Sequence, residues 1–443
     1  MSLLAAAVAA AIIAFEVVVP GRPRLEVQWS MPVVPTTVPP AAVARPPSSP
    51  LPALYDLEAS VRRIAASTSR ALPALPPKPV TTTTAATTTT LPTVPPDPPG
   101  IIASHWAQLY LDGRPYKFVT VDAPNAATWW GVNWGCGWQA SDADFDALFS
   151  QLPAGTLVPF WATQAMAYNN KSTHAIDFTG IDRVFAAAQR NHVLLMPELE
   201  TQQGYCSDGH WKDDSWYAGG YRKPYDDDGR GLEPLSYWDY VNLIVPRYAD
   251  NPALGMWELM VEPEASVCDP GYAGSGCYGH TTCPSDAEAS LQSFFGTVGA
   301  EVHRLDPHHL IADGTIGMNQ CGTVGPEYAE LAASPGIDVC EVHDYDGPSV
   351  PMNSQAQADI EACAQVGKPL IVGETGLNGA VDDGQGCPDL QARATDFERR
   401  VSDFLNAGAS GVGLWDWGGP TSGCGYQIGP DDPVIAAMRK FDS

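Results

Sequence analysis

The chain has 443 residues, of which 51 are Asp or Glu and 24 are Lys or Arg, so its formal net charge at pH 7 is −27. A surface this acidic repels phosphate backbones, and we therefore exclude nucleic acid as a partner. The ten cysteines all lie between Cys136 and Cys424 and show no zinc-ligand spacing, which predicts disulfides whose pairing the sequence leaves open. Disulfides indicate an exported protein.

The N-terminal residues 1–19 contain an apolar run from Leu3 to Phe15, which Glu16 interrupts. This run is shorter than the roughly 20 residues that a membrane-spanning helix needs. We interpret residues 1–19 as a signal peptide and expect a secreted or extracellular protein. The alternative is an uncleaved segment that tethers the protein to the cell surface.

The next segment, residues 20–100, is rich in Pro, Thr, Ala and Val and includes the threonine runs 81–84 and 87–90. Repeated prolines favour extended polyproline II and supply few side chains for a core. We predict a disordered Pro/Thr-rich stalk here. Residues 101–443 then remain for one large folded domain.

Short apolar runs predict eight strands in this domain, at 118–123, 156–161, 193–198, 256–261, 310–314, 339–343, 369–374 and 411–415. Amphipathic stretches between them predict helices at 142–150, 181–190, 237–249, 287–305, 355–366 and 391–407. This alternation predicts an α/β fold, a (β/α)8 TIM barrel with long, disulfide-held loops.

An open, doubly wound sheet is the competing topology. Its usual GxGxxG turn after the first strand is absent, and the Gly-rich stretch Gly271–Gly279 follows the fourth strand and contains a cysteine. The barrel is therefore favoured.

Two glutamates end predicted strands in matching contexts. Glu262 follows the apolar fourth strand and precedes Pro263, and Glu374 ends the seventh strand. In a barrel of this kind, both side chains would lie at the C-terminal mouth, where catalytic groups are found. Two carboxyl groups about 5 Å apart could serve as the acid/base and the nucleophile of a retaining glycosidase.

Four segments carry a resemblance to a known family. The segment 257–263, Trp-Glu-Leu-Met-Val-Glu-Pro, resembles the strand-four motif Trp-Glu-Leu-x-Asn-Glu-Pro of clan A glycoside hydrolases. Residues 342–345 resemble the His-x-Tyr of strand six, 372–374 the nucleophile strand, and 414–417 the strand-eight tryptophan. Together they are similar to glycoside hydrolase family 5, the cellulase and mannanase family, over most of residues 101–443.

The resemblance implies a retaining hydrolase that cleaves a neutral β-linked polysaccharide, such as β-1,4-mannan or β-1,4-glucan, without a metal or cofactor and as a monomer. Glu262 would be the acid/base and Glu374 the nucleophile. The resemblance assigns the substrate-binding positions as follows: Tyr345 would donate a hydrogen bond to the nucleophile, His343 would border the site, Trp415 would stack on a sugar, and Trp161 and Val261 would lie beside it.

Three positions depart from the family pattern. Val261 replaces the asparagine that precedes the acid/base, Pro159 lies where strand two usually has an arginine, and Asp122 lies where strand one often has an asparagine. Lost hydrogen bonds to the sugar 2-hydroxyl would cost several kcal/mol in the transition state. The second hypothesis is therefore a catalytically impaired glycan-binding barrel of the cell surface.

Further aromatic residues near strand ends fit a carbohydrate groove, although some must lie in the core: Trp129, Trp130, Trp134, Trp211, Trp216, Tyr217 and Trp417. The acidic segment 226–229 is interpreted as a solvated turn rather than a calcium loop, because the alternating ligand pattern is incomplete. The sequence distinguishes neither endo from exo action nor a hydrolase from a transglycosylase.

Overall fold

The alternating pattern of the sequence forms eight strands with helices between them in the computed structural model, which describes residues 98–168, 170, 172–173, 175–224, 234–347, 352–380, 386–418 and 424–441. The strands are β1 (Phe118–Val121), β2 (Leu157–Trp161), β3 (Leu194–Glu198), β4 (Met256–Glu258), β5 (Leu310–Ala312), β6 (Cys340–Asp344), β7 (Leu370–Gly376) and β8 (Gly411–Trp415). All eight coincide with predicted strands.

The eight strands close into a parallel barrel. Four pair in the order β5-β4-β3-β2 and four in the order β6-β7-β8-β1. A parallel bridge between Ala312 and Val339 joins β5 to β6. The amide of Ala123 donates to the carbonyl of Pro159 at 2.9 Å and joins β1 to β2. The predicted (β/α)8 barrel is confirmed, and the open sheet is excluded.

A helix follows each strand: α1 (Asp142–Phe149), α2 (Thr179–Asn191), α3 (Tyr237–Tyr248), α4 (Ala287–Leu305), α5 (Glu327–Ala332), α6 (Ser354–Gln365), α7 (Leu390–Ala407) and α8 (Pro433–Met438). The Ser236 side chain caps α3 by accepting from the amide of Asp239. The prediction missed α5 and α8, which are six residues long and too short for a helical period to be visible.

The lower end of the barrel, where the eight strands begin, is apolar and closed. A three-stranded antiparallel sheet (102–104, 109–111 and 114–116) places Ile102, Leu109 and Tyr116 against Leu157, Met196 and other buried residues of the barrel strands. A second and larger apolar layer lies between the strands and the surrounding helices. Because the lower end is plugged by side chains, the polar interior opens only toward the C-terminal ends of the strands.

All ten cysteines form disulfides: Cys136–Cys206, Cys268–Cys277, Cys283–Cys321, Cys340–Cys363 and Cys387–Cys424. Four of the five tie loops that follow strands at the C-terminal end, whereas Cys340–Cys363 ties the start of β6 to α6. The predicted disulfide-held loops are confirmed.

Among the described residues, no helix is long and apolar enough to cross a membrane. The predictions for residues 1–19 and 20–97 concern a part of the chain outside the described residues, as does the acidic turn at 226–229. The domain boundary at residue 101 remains a prediction.

Candidate active site

The C-terminal ends of β4 and β7 place the two predicted glutamates at the barrel mouth. The amide of Glu262 donates to the carbonyl of Gly314, beyond β5, at 2.9 Å. Glu262 has a φ of +57°, a left-handed conformation that is uncommon outside glycine and often found at functional positions. Glu374 lies within β7 and is buried.

The two carboxyl groups lie close together. One carboxylate oxygen each of Glu262 and Glu374, and a ring nitrogen of His343, lie within 4.8 Å of one another. Retaining glycosidases hold their two carboxyl groups about 5 to 5.5 Å apart, whereas inverting enzymes separate them further to admit a water. The spacing therefore fits direct attack by a carboxylate.

Each glutamate has its own hydrogen-bond donor. The Tyr345 hydroxyl donates to Oε2 of Glu374 at 2.5 Å, as predicted from the His-x-Tyr segment. The Gln203 side-chain amide donates to Oε2 of Glu262 at 2.9 Å. Sequence reasoning missed Gln203, because nothing in the loop after β3 distinguishes it from the neighbouring Gln202.

His343 lies between the two glutamates. Its Nδ1 is 3.2 Å from Oε1 of Glu262 and 3.6 Å from Oε2 of Glu374. Its Nε2 lies 3.6 Å from Oε2 of Glu341, so carboxylates face both ring nitrogens. Burial lowers the pKa of His343, but the charge of Glu374 and contacts with Glu262 and Glu341 more than offset this and hold the pKa well above its ordinary value.

Burial also perturbs the second glutamate. It raises the pKa of Glu374 to about 7, with further upward contributions from Glu262 and Glu341, while the charge of His343 and the hydrogen bond from Tyr345 lower it. Glu374 can therefore gain or lose its proton near neutrality.

Aromatic rings lie along one side of the mouth. Trp415 is half-buried at the end of β8, and its ring centroid is 5.9 Å from that of Trp161. Trp161 is buried and lies 5.8 Å from Tyr205, which is exposed. The structure thus brings the predicted Trp161 and Trp415 together and adds Tyr205.

A cavity of about 280 Å³ lies among the loops that follow β1 to β4, and Gln203 of its lining contacts Glu262. Its lining includes Trp134, Gln203, Tyr205 and the Cys136–Cys206 disulfide. Gln203 therefore contacts Glu262 and also lines this cavity.

Other aromatic residues divide between surface and core. Trp130 and Trp134 are exposed, and Trp129 packs against the Arg183 guanidinium at 3.4 Å. The suggestion of a groove role is wrong for the four that are core residues: Trp211, Trp216, Tyr217 and Trp417. Trp417, for example, packs on Trp138, Phe145 and Phe149, because α1 covers this end of β8.

The three departures from the family pattern are also visible. Val261 is buried, and its amide and carbonyl are bonded to Glu200 and Gln202. Its side chain offers no hydrogen bond to a sugar. Pro159, the central residue of β2, supplies no charge. Asp122 is buried beneath the site, where burial and the charge of Glu374 raise its pKa well above the ordinary value.

Asp122 belongs to a set of buried carboxyl groups below the catalytic pair, of which sequence reasoning missed the other three: Glu198, Glu258 and Glu341. Burial is the first cause that raises the pKa of all four, and the charges of neighbouring carboxylates add to it for Asp122, Glu198 and Glu258, whereas His343 lowers the pKa of Glu341. A signal was present, because Glu198 and Glu258 interrupt apolar strands.

The spacing of Glu262, His343 and Glu374 would also suit a metal ion, and in the described residues no other group of this kind is found. The absence of a metal cofactor stays a prediction that an assay with a chelator must test.

No protein-family model matches this chain. A probable mannan endo-1,4-beta-mannosidase F of Aspergillus flavus is 26% identical over 356 residues, covering 69% of this chain and 68% of the relative. Mannan endo-1,4-beta-mannosidase 7 of Arabidopsis thaliana is 25% identical over 248 residues, which are 48% of this chain and 53% of the relative.

Solved structures share the fold. The endo-1,4-beta-mannanase of Rhizomucor miehei aligns over 76% of this chain and 97% of its own, with a TM-score of 0.54 and 19% identity. A glycoside hydrolase family 5 mannosidase from the same organism aligns over 77% of this chain and 97% of its own, with a TM-score of 0.52 and 14% identity.

Proposed function

We propose that this chain, a clan A glycoside hydrolase related to family 5, is a retaining endo-β-1,4-mannanase. The predicted relationship to this family is confirmed by the mannosidase relatives and by the shared barrel fold. The observation that carries the catalytic proposal is the spacing of Glu262 and Glu374, with carboxylate oxygens within 4.8 Å of each other at the C-terminal mouth of the barrel.

In the first step, the Glu374 carboxylate attacks the anomeric carbon while Glu262 gives its proton to the departing glycosidic oxygen. The bond from the anomeric carbon to the leaving oxygen breaks as the bond to Glu374 forms. This step requires an ionised Glu374, whose pKa burial raises to about 7. The charge of His343 and the hydrogen bond from Tyr345 act in the required direction, because both lower the pKa of Glu374.

In the second step, Glu262 takes a proton from water, and the water oxygen displaces Glu374 from the anomeric carbon. Two inversions at this carbon leave the product with the configuration of the substrate. The half-buried Trp415 offers an aromatic face to the sugar at the reacting position.

Mannan as the substrate is supported by the names of the relatives from Aspergillus flavus and Arabidopsis thaliana. The cavity lined by Gln203, which contacts Glu262, would take the departing part of the chain, because the leaving oxygen must lie next to the acid that protonates it. The names of the same two relatives, both endo-1,4-beta-mannosidases, support endo action.

The five disulfides support secretion, with the protein acting outside the cell as a monomer on a neutral polysaccharide. We propose a cleaved signal peptide for residues 1–19, and an uncleaved membrane tether is the alternative.

A glycan-binding barrel without turnover is the second candidate. The observation that favours it is the buried Val261 beside Glu262, which removes a polar contact to the sugar. A binding protein would have no need of both carboxylates. The hydrogen bond from the Tyr345 hydroxyl to Glu374 also favours catalysis, because it stabilises the ionised nucleophile.

The test is release of reducing sugar from mannan, glucan, xylan and galactan by the full chain, with and without EDTA, beside Glu374→Gln. We expect turnover of mannan that a chelator leaves unchanged and that the variant loses. If neither protein releases reducing sugar but both still bind mannan, the glycan-binding barrel is supported instead.

A further inference from the structure

Glu341 lies on β6, two residues before His343, and is completely buried. Among the described residues, no hydrogen bond of ordinary geometry reaches either of its carboxylate oxygens, and the polar side chains that interact with it are those of His343 and Glu258. The nearest ring nitrogen is Nε2 of His343, at 3.6 Å. A buried carboxylate without donors is costly, and this one must therefore be stabilised by a shared proton or by a positive imidazole.

The backbone of β7 is shaped to admit this pair. A Cβ atom on Gly373 would lie 2.0 Å from Oε2 of Glu341 and 2.8 Å from Nε2 of His343. Both side chains therefore lie directly against Gly373, the residue that precedes the proposed nucleophile. Any larger residue at position 373 would clash with the side chains of Glu341 and His343.

The opposite edge of the imidazole faces the catalytic pair. Nδ1 is 3.2 Å from Glu262 and 3.6 Å from Glu374. A lone pair on Nδ1 would be repelled by an ionised carboxylate, whereas an N–H would be attracted to it. The tautomer of a histidine is set by the partner of its other nitrogen, which here is Glu341.

A neutral ring with its hydrogen on Nε2 would satisfy Nδ1 only by accepting the proton of Glu262, which the mechanism needs for the glycosidic oxygen. Two other arrangements place a hydrogen on Nδ1 and leave that proton available. If the shared proton lies on Nε2, the ring is an imidazolium and Glu341 is its counter-ion. If the proton lies on Glu341, the acid donates to Nε2, and a neutral ring carries its hydrogen on Nδ1. In both cases, Nδ1–H points toward the catalytic pair.

We propose that Glu341 is a positioning residue that acts through His343 and keeps a hydrogen on Nδ1, where it donates toward the two catalytic carboxylates. The proposal rests on the proposed function of that pair. β2 contributes no basic side chain, since its residues are Leu-Val-Pro-Phe-Trp. The N–H of His343 therefore supplies the positive edge that holds Glu374 ionised beside Glu262.

Several groups face His343 or share its field, and a pH effect must take account of them all. Glu341 belongs to its own strand, Glu374 lies on β7, and Glu262 follows β4. The charge of His343 also acts on Asp122 of β1 and Glu198 of β3, and Glu258 of β4 interacts with Glu341. All of these carboxyl groups favour the protonated imidazole when they are ionised.

The first experiment compares the steady-state kinetics of the wild-type full chain with those of the Glu341→Met variant. Methionine is an apolar replacement of similar length. The matched control is Asp306→Asn, which alters a buried carboxylate–histidine pair, Asp306–His309 at 2.8 Å, near the start of β5. We expect Glu341→Met to lower kcat about tenfold or more with little change in KM. The alkaline limb of its pH profile should move to lower pH by about half a unit or more, because the ring loses a negative neighbour.

Asp306→Asn should leave the pH profile in place. The proposal is overturned if Glu341→Met keeps the wild-type kcat and alkaline limb, or if its loss lies in KM alone.

The second experiment needs no known substrate and leaves Glu341 in place. Nitrogen NMR of the full chain with labelled histidine reports which ring nitrogen of His343 carries hydrogen, with the resonance assigned by its absence in His343→Gln. Hydrogen on Nδ1 across the neutral range supports the proposal, and an unprotonated Nδ1 overturns it. Because no glycan is involved, this result stands even if mannan is not cleaved.

Discussion

Glu262 and Glu374 bring a carboxylate oxygen each to within 4.8 Å, yet each accepts its hydrogen bond from a different loop. Gln203, after β3, donates to Glu262, and Tyr345, after β6, donates to Glu374. Two acidic groups so close to each other are held in different environments. The environments suit two different roles, a proton donor beside the cavity and a nucleophile beneath the sugar.

Loss of the acid/base should be reversible by a small anion. Glu262→Ala removes the proton donor and should lower turnover of mannan by about 10²- to 10⁴-fold. An aryl β-mannoside with a good leaving group needs no proton and should still form the covalent intermediate. Azide, added to this variant, should then capture the intermediate and give a β-mannosyl azide, which NMR identifies. An α-configured azide would reverse the roles of the two glutamates.

The hydroxyl of Tyr345 should set the acidic limb of the pH profile. Its hydrogen bond lowers the pKa of Glu374, which burial raises to about 7, and Glu374 must be ionised to attack. Tyr345→Phe should therefore raise this pKa and move the acidic limb to higher pH, by about half to one unit. Kinetics at pH 6 and 8 test this, because the loss should be about tenfold at pH 6 and smaller at pH 8. A uniform loss at both pH values would contradict it.

The fold and the catalytic pair were predictable because their signals are local. Short, nearly continuous apolar runs predict the buried parallel strands, and a strand that ends in Glu-Pro or Glu-Thr-Gly puts the glutamate at the mouth. Gln203 and the Cys136–Cys206 pairing were not predictable, since both depend on how loops from different strands meet in space.

The Cys136–Cys206 disulfide should matter for binding as well as for stability. It ties the loops after β1 and β3, which line the cavity next to Gln203. Replacing both cysteines by serine should reduce stability by about 2 to 5 kcal/mol and raise KM for mannan several-fold. Denaturant unfolding and steady-state kinetics measure the two effects.

The matched control replaces Cys340 and Cys363 by alanine, because this disulfide lies at the start of β6, away from the cavity. It should reduce stability with KM unchanged. An equal rise of KM in both double variants would show that the cavity loops have no special role in binding.

Buried carboxyl groups should make the protein less stable at alkaline pH. Burial, with a contribution from the charge of Glu341, raises the pKa of Asp313 to about 7, and the pKa values of Asp122, Glu198 and Glu258 are raised well above their ordinary range. The folded state therefore binds more protons than the unfolded chain, whose carboxyl groups titrate near pH 4. The stabilising contribution is full below that pH and is lost as pH rises through the folded-state pKa values.

We therefore expect a higher melting temperature at pH 5.5 than at pH 8.5, measured by calorimetry. Asp313→Asn keeps the acceptor for the amide and hydroxyl of Thr315 and should reduce the difference. A melting temperature that rises with pH across this interval would contradict the protonated state of these groups.

The buried carboxyl groups also mark the limit of sequence reasoning. Glu341 occupies a position that an apolar residue would fill in an ordinary strand, and the sequence does not show that its partner is His343, on the same strand, with Gly373 of β7 making room for both. Such an arrangement depends on the register of two strands at a single residue, which is set by the whole barrel.

The most direct test of the central claim is the anomeric configuration of the first product released from a β-1,4-manno-oligosaccharide, followed by proton NMR immediately after the full chain is added. A retaining pair at Glu262 and Glu374 predicts that β-anomer appears first and that α-anomer follows only by mutarotation, with no product from Glu374→Gln. Initial release of the α-anomer, or undiminished release by the variant, would contradict the account.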